Sequence, residues 1–436
     1  MKTTIQLSSS HVVLALLIAA GCSQGKEEGS EPASTTPAPL ASSVAPTSTA
    51  VAMASASHDW GDDPTEIPKE RFTNGEAAFN AVRTHLKDQY YADGLTDDDL
   101  YRAATAGMLE RIDPRMRKWN KLLSPHELEE MKTDLKGEIV GAGIQIDFDP
   151  ATGYIAVSGV YHGGAAERAG IVPGDTIVRV NDKLYKGMKI RDVVGDIRGK
   201  AGDPVSFSVL HDGKLDVVKI VRERVVFDTP DHSVLLGSVG YVRIPSFTER
   251  THDAVQAALN DLASKKVTGL VLDVRQNQGG LFQEAVHTAE LFVPAGAEIL
   301  STKKRKEGTE KMVSKGTPIL GDVPIVILTD AKTASGGELL GAALRDTRKA
   351  RTVGVRTMGK GSVQMLDDLP NGYAYKYTLS LLYTPSGQTF DGVGLTPDIE
   401  VALDDVSRGK AMSAPTEEAR LALDVQLKTA AELLRR

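Results

Sequence analysis

The stretch GLVLDVR, residues 269–275, constrains the fold of this chain more than any other. Leu270, Val271 and Leu272 follow one another, so an extended strand here carries apolar side chains on both of its faces. A strand of this kind is buried between two layers and usually belongs to a parallel sheet. The run therefore predicts an interior strand of a sheet that is covered on both sides.

The surrounding sequence predicts a layered α/β fold between Val239 and Val401. Strand-like runs (GYVRI, VPIVIL and RTVGV) alternate with helix-like runs near residues 253–264 and 283–291 and after residue 335. Parallel strands need crossover connections of this kind, and a sheet with helices packed against it results.

Residues 137–225 show a different residue pattern, in which short β-branched runs are separated by Gly, Asp and Asn. They resemble a bacterial-type PDZ domain, most clearly in the segment GGAAERAGIVPGDTIVRVND. The alternative is a small β domain that serves only for packing. In PDZ domains a loop of backbone N–H groups captures a peptide carboxylate, and the peptide adds a strand beside a helix. The resemblance implies that this loop and groove are formed by Val140, Gly141, Ala142, Gly143, Ile144 and Ile146.

Composition excludes several classes of function. A net charge of −7 over 436 residues is mild and the basic residues are dispersed, so nucleic acid is not expected as a partner. The only cysteine is Cys22, which rules out an intrachain disulfide and a cysteine-based zinc site. The sequence has no HExxH pair, no phosphate-binding loop and no G-x-S-x-G elbow. We therefore expect no metal and no cofactor.

The N-terminus reads as a secretory leader followed by a tether. The apolar run VVLALLIAA at residues 12–20 is too short to span a membrane and ends at Gly21-Cys22. AAGC resembles a bacterial lipobox, which implies lipidation of Cys22, although Ala19 replaces the usual leucine. Residues 23–64 are rich in Ser, Ala, Thr and Pro and predict a disordered tether. A plainly cleaved signal is the alternative.

The chemistry centres on Ser335, which lies at a strand-to-helix turn in TASGGE. A serine hydroxyl needs a base to become a nucleophile, and it needs donors for the oxyanion that develops. By itself this serine is more typical of a helix cap. A second small-residue turn, MGKGSVQ, holds Lys360, 25 residues after Ser335, and Gln364 follows four residues later. Glycines on both sides of Lys360 let the backbone pass close to another surface.

Together these motifs resemble the C-terminal processing peptidases, also called tail-specific proteases. The resemblance runs from about residue 78 to residue 401 and includes DPRM, SPHE, LDVRQNQGG, MGKGSVQ and YTPSGQTFDGVGLTPDIEV. It implies a Ser/Lys dyad with Ser335 as nucleophile, Lys360 as general base and Gln364 orienting the lysine amine. It also implies an oxyanion hole formed by the N–H of Gly336 and an N–H in the QNQGG turn, at Gly279 or Gly280.

A lysine base must be neutral when it acts, so its pKa must fall several units below the usual value of about 10.4. We therefore expect burial of Lys360, with Asp367 and Asp368 pointing away from it and no contact from Glu338. Two departures from the family pattern stand out. The family motif reads close to S-A-S-A-S-E, whereas this chain has Gly336 and Gly337. The segment RKWNKLL between DPRM and SPHE is also longer than usual.

The sequence thus predicts a multidomain α+β protein with a PDZ β domain and a layered α/β core of the ClpP/crotonase-like type. The expected parts are a lipoprotein-type leader (1–22), a tether (23–64), a helical N-terminal region (65–136), a PDZ domain (137–225), a serine peptidase core (226–403) and a C-terminal helical segment (404–436).

The predicted function is a serine endopeptidase that cleaves proteins near their C-termini. Expected partners are proteins or peptides with unstructured C-termini, and Arg168, beside the groove, is expected to couple the PDZ domain to catalysis. An adaptor lipoprotein and homo-oligomers are left open as further partners. We expect the chain to be exported across the inner membrane and held in the bacterial envelope by a lipid anchor, facing the periplasm. The rival interpretations are an inactive, anchored PDZ adaptor and a hydrolase of non-peptide acyl groups.

Overall fold

The computed structural model describes residues 15–17, 71–149, 152–161, 163–188, 190–226 and 230–435. The predicted lipidation site Cys22 and the predicted tether lie outside the described residues, as does the predicted leader apart from residues 15–17. In this part of the chain no helix combines the length and the apolar character that a membrane crossing requires.

The described residues divide into two units, with residues 71–117 in the smaller one and strand β1 (Ala15–Leu17) together with the residues from 118 onward in the larger one. The smaller unit contains helices α1 (Gly75–Gln89) and α2 (Asp97–Arg111) and a 3-10 turn (Pro114–Met116). Thr96 begins α2 with a capping box, as its side chain and that of Asp99 bond to each other's backbone N–H. Both helices fall within the helical region predicted for residues 65–136, but neither has a buried residue.

The larger unit continues with β2 (Lys121–Leu123) and α3 (Pro125–Leu135) and then enters the PDZ region. Its elements are β3 (Glu138–Gly141), β4 (Ile144–Phe148), β5 (Ile155–Val160), α4 (Ala165–Arg168), β6 (Thr176–Val180), β7 (Lys183–Leu184), α5 (Ile190–Ile197), β8 (Pro204–His211), β9 (Lys214–Val221) and β10 (Glu223–Val226). Strands β4-β5-β6-β8-β9 form an antiparallel sheet in that order, with β4 at one edge of the described sheet. Its core includes Ile155, Ile177, Val193 and Phe207.

The following region alternates strands and helices as predicted. Its elements are β11 (Asp231–Leu235), β12 (Val239–Arg243), α6 (Thr251–Ser264), β13 (Gly269–Asp273), β14 (Gly280–Leu281), α7 (Phe282–Glu290), β15 (Glu298–Lys304), β16 (Gly308–Val313), β17 (Ile325–Thr329), α8 (Gly336–Arg348), β18 (Arg351–Gly354), β19 (Ser362–Asp368), β20 (Ala374–Tyr383) and β21 (Ile399–Glu400). Strands β12, β13, β17, β18 and β21 are parallel neighbours, and β11 is an antiparallel edge strand.

Strand β13 is buried on both faces, which confirms the prediction from GLVLDVR. Leu270 and Leu272 pack into one apolar cluster with side chains of α6, α7 and α8. Val271, on the opposite face, packs into another cluster with Leu427 of the C-terminal helices. These helices are α9 (Asp405–Met412), α10 (Glu417–Leu423) and α11 (Val425–Leu434). The central sheet is therefore covered on both sides.

A buried ion cluster ties α11 to the end of β13. Arg275 is 2% exposed, and its guanidinium donates to Asp273 at 2.6 and 2.9 Å and to Asp424, the N-cap of α11, at 2.8 and 2.9 Å. Arg275 lowers the pKa of Asp273 to about 2, although burial of the carboxyl acts in the opposite direction. The turn that follows β13 is thus anchored to the C-terminal segment.

A second sheet includes strand β1, which lies within the predicted leader. Its order is β14-β1-β19-β20-β15-β16, and β2 pairs with β20. Leu16 lies opposite Leu281 of β14 and Gln364 of β19, and both pairings are antiparallel. The space between β14 and β19 therefore accepts one extended segment.

Candidate active site

Ser335 lies at a strained turn between β17 and α8. Its backbone has φ 59° and ψ −109°, a conformation that costs a non-glycine residue about 1–3 kcal/mol and is concentrated at functional sites. Hydrogen bonds to the segment that follows β13 fix this turn. Thr333 Oγ1 donates to the carbonyl oxygen of Val274 at 2.9 Å. Ala334 N donates to the carbonyl oxygen of Asn277 at 2.8 Å. The strain is therefore supported by two contacts with the turn after β13.

The hydroxyl of Ser335 is buried, and its Oγ has no hydrogen-bond partner among the described residues. It stands at the N-terminus of α8, where the helix dipole favours negative charge. The first helical residue, Gly336, has an N–H that no acceptor in an intact helical turn can reach. A buried hydroxyl with no hydrogen-bond partner among the described residues, next to an N–H without an intrahelical acceptor, is the arrangement that a nucleophile with an oxyanion donor requires.

Lys360 lies on the turn between β18 and β19 and is 1% exposed. Met358 N donates to the carbonyl oxygen of Thr333 at 2.9 Å, which joins this turn to the serine turn. The flanking glycines allow close backbone approach, as predicted. A Cβ at Gly359 would lie 2.7 Å from Gly394 N, and a Cβ at Gly361 would lie 2.6 Å from Asp391 N.

The pKa of Lys360 lies well below its ordinary value. Burial is the largest cause, and the positive charges of Lys376 and Lys118 add to it. Asp367 and Asp368, which were predicted to point away, are not among the charges that shift this pKa. The shift has the direction that a lysine base needs.

The prediction that Glu338 would not contact Lys360 is wrong. The Glu338 carboxylate accepts hydrogen bonds from the backbone N–H groups of Ser335 at 2.7 Å, Lys360 at 2.8 Å and Gly359 at 2.7 Å, and from Thr357 Oγ1 at 2.5 Å. Its negative charge raises the pKa of Lys360, but burial and the two lysines outweigh it. Glu338 instead holds the serine and lysine turns together through their backbones.

The turn after β13 contains Gly279 and Gly280, the two predicted alternatives for the second oxyanion donor, and the structure distinguishes their N–H groups. The N–H of Gly279 donates to Asn277 Oδ1 at 2.8 Å, so it is not available to an oxyanion. Gly280 forms a parallel bridge with Phe247, whose bonds use the carbonyl oxygen of Gly279 and the N–H of Leu281. The N–H of Gly280 therefore points away from Phe247. Of the two glycines, Gly280 is therefore the better candidate for an oxyanion donor.

Phe247 was not predicted, yet it sets the spacing of both glycine turns. A Cβ at Gly280 would lie 2.1 Å from the carbonyl oxygen of Phe247, and a Cβ at Gly336 would lie 2.6 Å from its ring carbon Cδ2. Phe247 is fully buried. The departure from the family motif at residue 336 thus has a steric reason: the phenyl ring occupies the space of an alanine methyl group.

Gln364 accepts no hydrogen bond from the lysine amine. Its Nε2 donates to Ser362 Oγ at 3.0 Å, and its Oε1 is buried without a hydrogen-bond partner in the described part of the chain. The role of Gln364 in orienting the amine stays a prediction.

The predicted carboxylate loop of the PDZ region is partly a strand. Val140 and Gly141 belong to β3 and pair with Arg224 and Glu223 of β10, so their backbone is committed to a ladder. The turn itself is Ala142–Gly143, where Gly143 has φ 81°. The prediction of a four-residue loop is therefore corrected to a two-residue turn.

The groove residues lie on the edge strand β4. Ile144 is buried and Ile146 is partly buried, and both pack on the PDZ core. Arg168 donates to the carbonyl oxygen of Gly163 and forms an ion pair with Glu223 at 2.7 Å. Since Glu223 lies opposite Gly141, Arg168 connects α4 to the strand that precedes the turn.

Comparisons with known proteins give a consistent result. The model of peptidase family S41 matches residues 238–401, and the PDZ-domain model matches residues 130–210. A carboxy-terminal-processing protease of Bartonella bacilliformis is 34% identical over 337 residues, which cover 74% of each chain. A probable CtpA-like serine protease of Staphylococcus aureus is 32% identical over 72% of this chain and 62% of its own length. The solved photosystem II D1 C-terminal processing protease is 27% identical with a TM-score of 0.50, over 75% of this chain and 91% of that chain.

Proposed function

Because the chain belongs to peptidase family S41 and is a serine-type C-terminal processing peptidase, we propose that Ser335 is its nucleophile and Lys360 its general base. The observation that carries the proposal is the burial of Lys360, which lowers its pKa. The carboxylate of Glu338 joins the turn of this lysine to the turn of Ser335.

The reaction follows from this geometry. The neutral amine of Lys360 takes the proton from Ser335 Oγ as the oxygen attacks the scissile carbonyl carbon. The negative oxygen that forms accepts hydrogen bonds from the N–H groups of Gly336 and Gly280. The protonated lysine then gives its proton to the departing amine, which leaves an ester on Ser335. Water, deprotonated by the same lysine, hydrolyses this ester and restores the serine.

The structure supports one order of events for the dyad. Ser335 Oγ has no hydrogen-bond partner among the described residues, and we propose that it bonds to the lysine amine when substrate enters. Gln364 is proposed to orient the amine, since it lies on β19 four residues after Lys360 and its Oε1 is buried without a hydrogen-bond partner among the described residues. The slot between β14 and β19, where Ala15–Leu17 lies, is proposed to hold the substrate as an extended strand.

The PDZ domain is proposed to select substrates by their unstructured C-terminal tails. Its edge strand β4 can pair with an added strand, and the Ala142–Gly143 turn stands before it to receive a terminal carboxylate. Ile144 and Ile146 give the groove an apolar character, which favours apolar tails. The ion pair of Arg168 with Glu223 links this groove to β3 and β10 and is the proposed route of coupling.

The site of action is proposed to be the bacterial envelope. The leader and Cys22 suggest a lipid anchor that faces the periplasm. Such an anchor would keep the peptidase near exported proteins.

The dyad is tested by cleavage of an unfolded protein, with fragments identified by mass spectrometry. Ser335→Ala and Lys360→Ala should each abolish fragments. Ser264→Ala should cleave like the parent chain, because Ser264 is exposed on α6 and its hydroxyl bonds only to the carbonyl oxygen of Asp261. Equal cleavage by Ser335→Ala and the parent would overturn the proposal. An intact substrate with every variant, including the parent, would favour the anchored-adaptor interpretation.

A further inference from the structure

The long segment RKWNKLL places an aromatic ring over the catalytic lysine. Lys360 Nζ lies 4.3 Å from the centroid of the Trp119 ring, and Trp119 is 4% exposed. Lys118 Nζ lies 4.6 Å from the same ring. The indole therefore covers the amine of Lys360 on one side.

The segment is fixed on both sides of Trp119. Asn120 is buried, and its Oδ1 accepts hydrogen bonds from Thr378 N at 2.8 Å and from Thr378 Oγ1 at 3.1 Å. Strand β2 then pairs with β20, with Lys121 opposite Lys376. Because β20 also pairs with β19, the ring is attached to the strand that follows the lysine turn.

We propose that Trp119 is a positioning residue for the general base, and that its indole shields the Lys360 amine from water and holds it in place. This inference rests on the proposed role of Lys360. The proposed role would explain why the segment RKWNKLL is longer than usual. Its additional residues place both the Trp119 ring and the positive charge of Lys118 near the base.

The charged groups that face the amine come from three elements. Lys376 lies on β20, Lys118 lies in the segment and Glu338 lies on α8. Lys376 is itself largely buried and its pKa is lowered to about 8, first by burial and then by Lys121. The two lysines favour the neutral amine of Lys360, and Glu338 opposes them.

The ring has two opposing effects on the amine. An ammonium group on an aromatic face gains about 0.5–2 kcal/mol, which favours the charged form. Removal of water from a lysine can lower its pKa by up to about 3–5 units, which favours the neutral form. Shielding is the larger effect. Loss of the ring should therefore raise the pKa of Lys360.

The test is the pH dependence of kcat/KM for the full chain on an unfolded protein substrate. Activity rises with pH as Lys360 loses its proton, and the midpoint of this rise reports the base in the free enzyme. Trp119→Ala should move the midpoint upward by about one unit, with a loss of about tenfold below the midpoint and recovery above it. Trp119→Phe should keep the midpoint of the parent.

Two further variants keep the test decisive if Trp119→Ala does not fold. Trp119→Leu keeps an apolar cover without the aromatic face, so its midpoint should stay or fall. Lys376→Met removes a facing positive charge, so its midpoint should rise. Lys132→Gln, on the exposed side of α3, is the matched control and should match the parent.

An equal loss at every pH in Trp119→Ala, with an unmoved midpoint, would overturn the inference and assign the ring a packing or substrate-contact role. An upward midpoint shift in Trp119→Leu that equals that of Trp119→Ala would do the same. Ser335→Ala distinguishes a failure of the proposed dyad from a failure of the inference about Trp119. If that variant is inactive and the Trp119 profiles do not shift, only the inference about Trp119 fails.

Discussion

The most specific prediction concerns Gly336, where the family motif has alanine. The perturbation is Gly336→Ala, alone and combined with Phe247→Leu. In this chain the Phe247 ring fills the space that an alanine methyl group would take. We expect Gly336→Ala alone to impair both packing and catalysis. Addition of Phe247→Leu should reduce both losses.

The magnitude follows from the contacts. A Cβ at Gly336 would lie 2.6 Å and 2.9 Å from two Phe247 ring carbons and 3.2 Å from the Cβ of Ala285. Carbon atoms pack at about 3.5–4.0 Å, so the ring or the start of α8 must retreat by about 1 Å. Overpacking of this kind costs about 1–3 kcal/mol. A donor displaced by about 1 Å loses much of its effect, so kcat/KM should fall about 10- to 100-fold.

The assay combines urea unfolding with kcat/KM on an unfolded substrate. Phe247→Leu in the Gly336→Ala chain should recover part of both losses, with a coupling energy of about 0.5–3 kcal/mol. The matched control is Gly341→Ala in the same helix. A Cβ there meets only the flexible end of Leu395 at 3.3 Å, so kcat/KM should stay within about twofold.

Two results would refute the reasoning. One is a Gly336→Ala chain with the stability and kcat/KM of the parent. The other is strict additivity of the two substitutions, which would show that Phe247 and residue 336 do not compete for the same space.

Three further predictions address the base, the buried ion cluster and the PDZ link. Lys360→Arg should lower cleavage at least about 1000-fold at every pH with an unchanged melting temperature, because a guanidinium stays protonated in proteins; recovery at high pH would contradict this. Arg275→Met should cost about 3–5 kcal/mol in urea unfolding at pH 7, since it strands buried carboxylates. The pKa of Asp273 is depressed to about 2, so this difference should shrink as pH falls from about 4 towards 2, and a constant difference would argue against it. Arg168→Ala should weaken the dependence of cleavage on substrate length by breaking the pair with Glu223, and unchanged length dependence would remove its coupling role.

The elements that sequence predicts well here are those with a local signature. The consecutive apolar residues of GLVLDVR identify a buried strand, and all five residues of β13 are buried. The glycines around Lys360 identify a close backbone approach, and the contacts at Gly359 and Gly361 agree. In each case a few adjacent residues report the environment, although the residues that supply the contacts, such as Asp391 and Gly394, are distant in the chain.

Contacts between distant segments left no such signature. The carboxylate of Glu338 reaches the N–H of Lys360 on a turn 22 residues away. Arg275 finds Asp424 across 149 residues. The sequence showed only that the segment containing Trp119 is longer than usual. That length could not indicate that the added residues cover the base.

The helices α1 and α2 illustrate a different limit. Their apolar spacing predicts helix formation, and capping residues such as Thr96 confirm where α2 begins. Spacing reports which residues share a face, but it does not report whether another element covers that face. Val82 is 60% exposed and Met108 is 66% exposed.

The most direct test of the central claim is the rate at which a fluorophosphonate modifies the chain, with the modified peptide identified by mass spectrometry. The probe reacts with activated serine hydroxyls, so it reports the nucleophile and its base together. We predict modification at Ser335 only, at a rate that rises with pH through the midpoint seen for cleavage and falls at least about 100-fold in Lys360→Met. Modification at another residue, or an unchanged rate in Lys360→Met, would contradict the account.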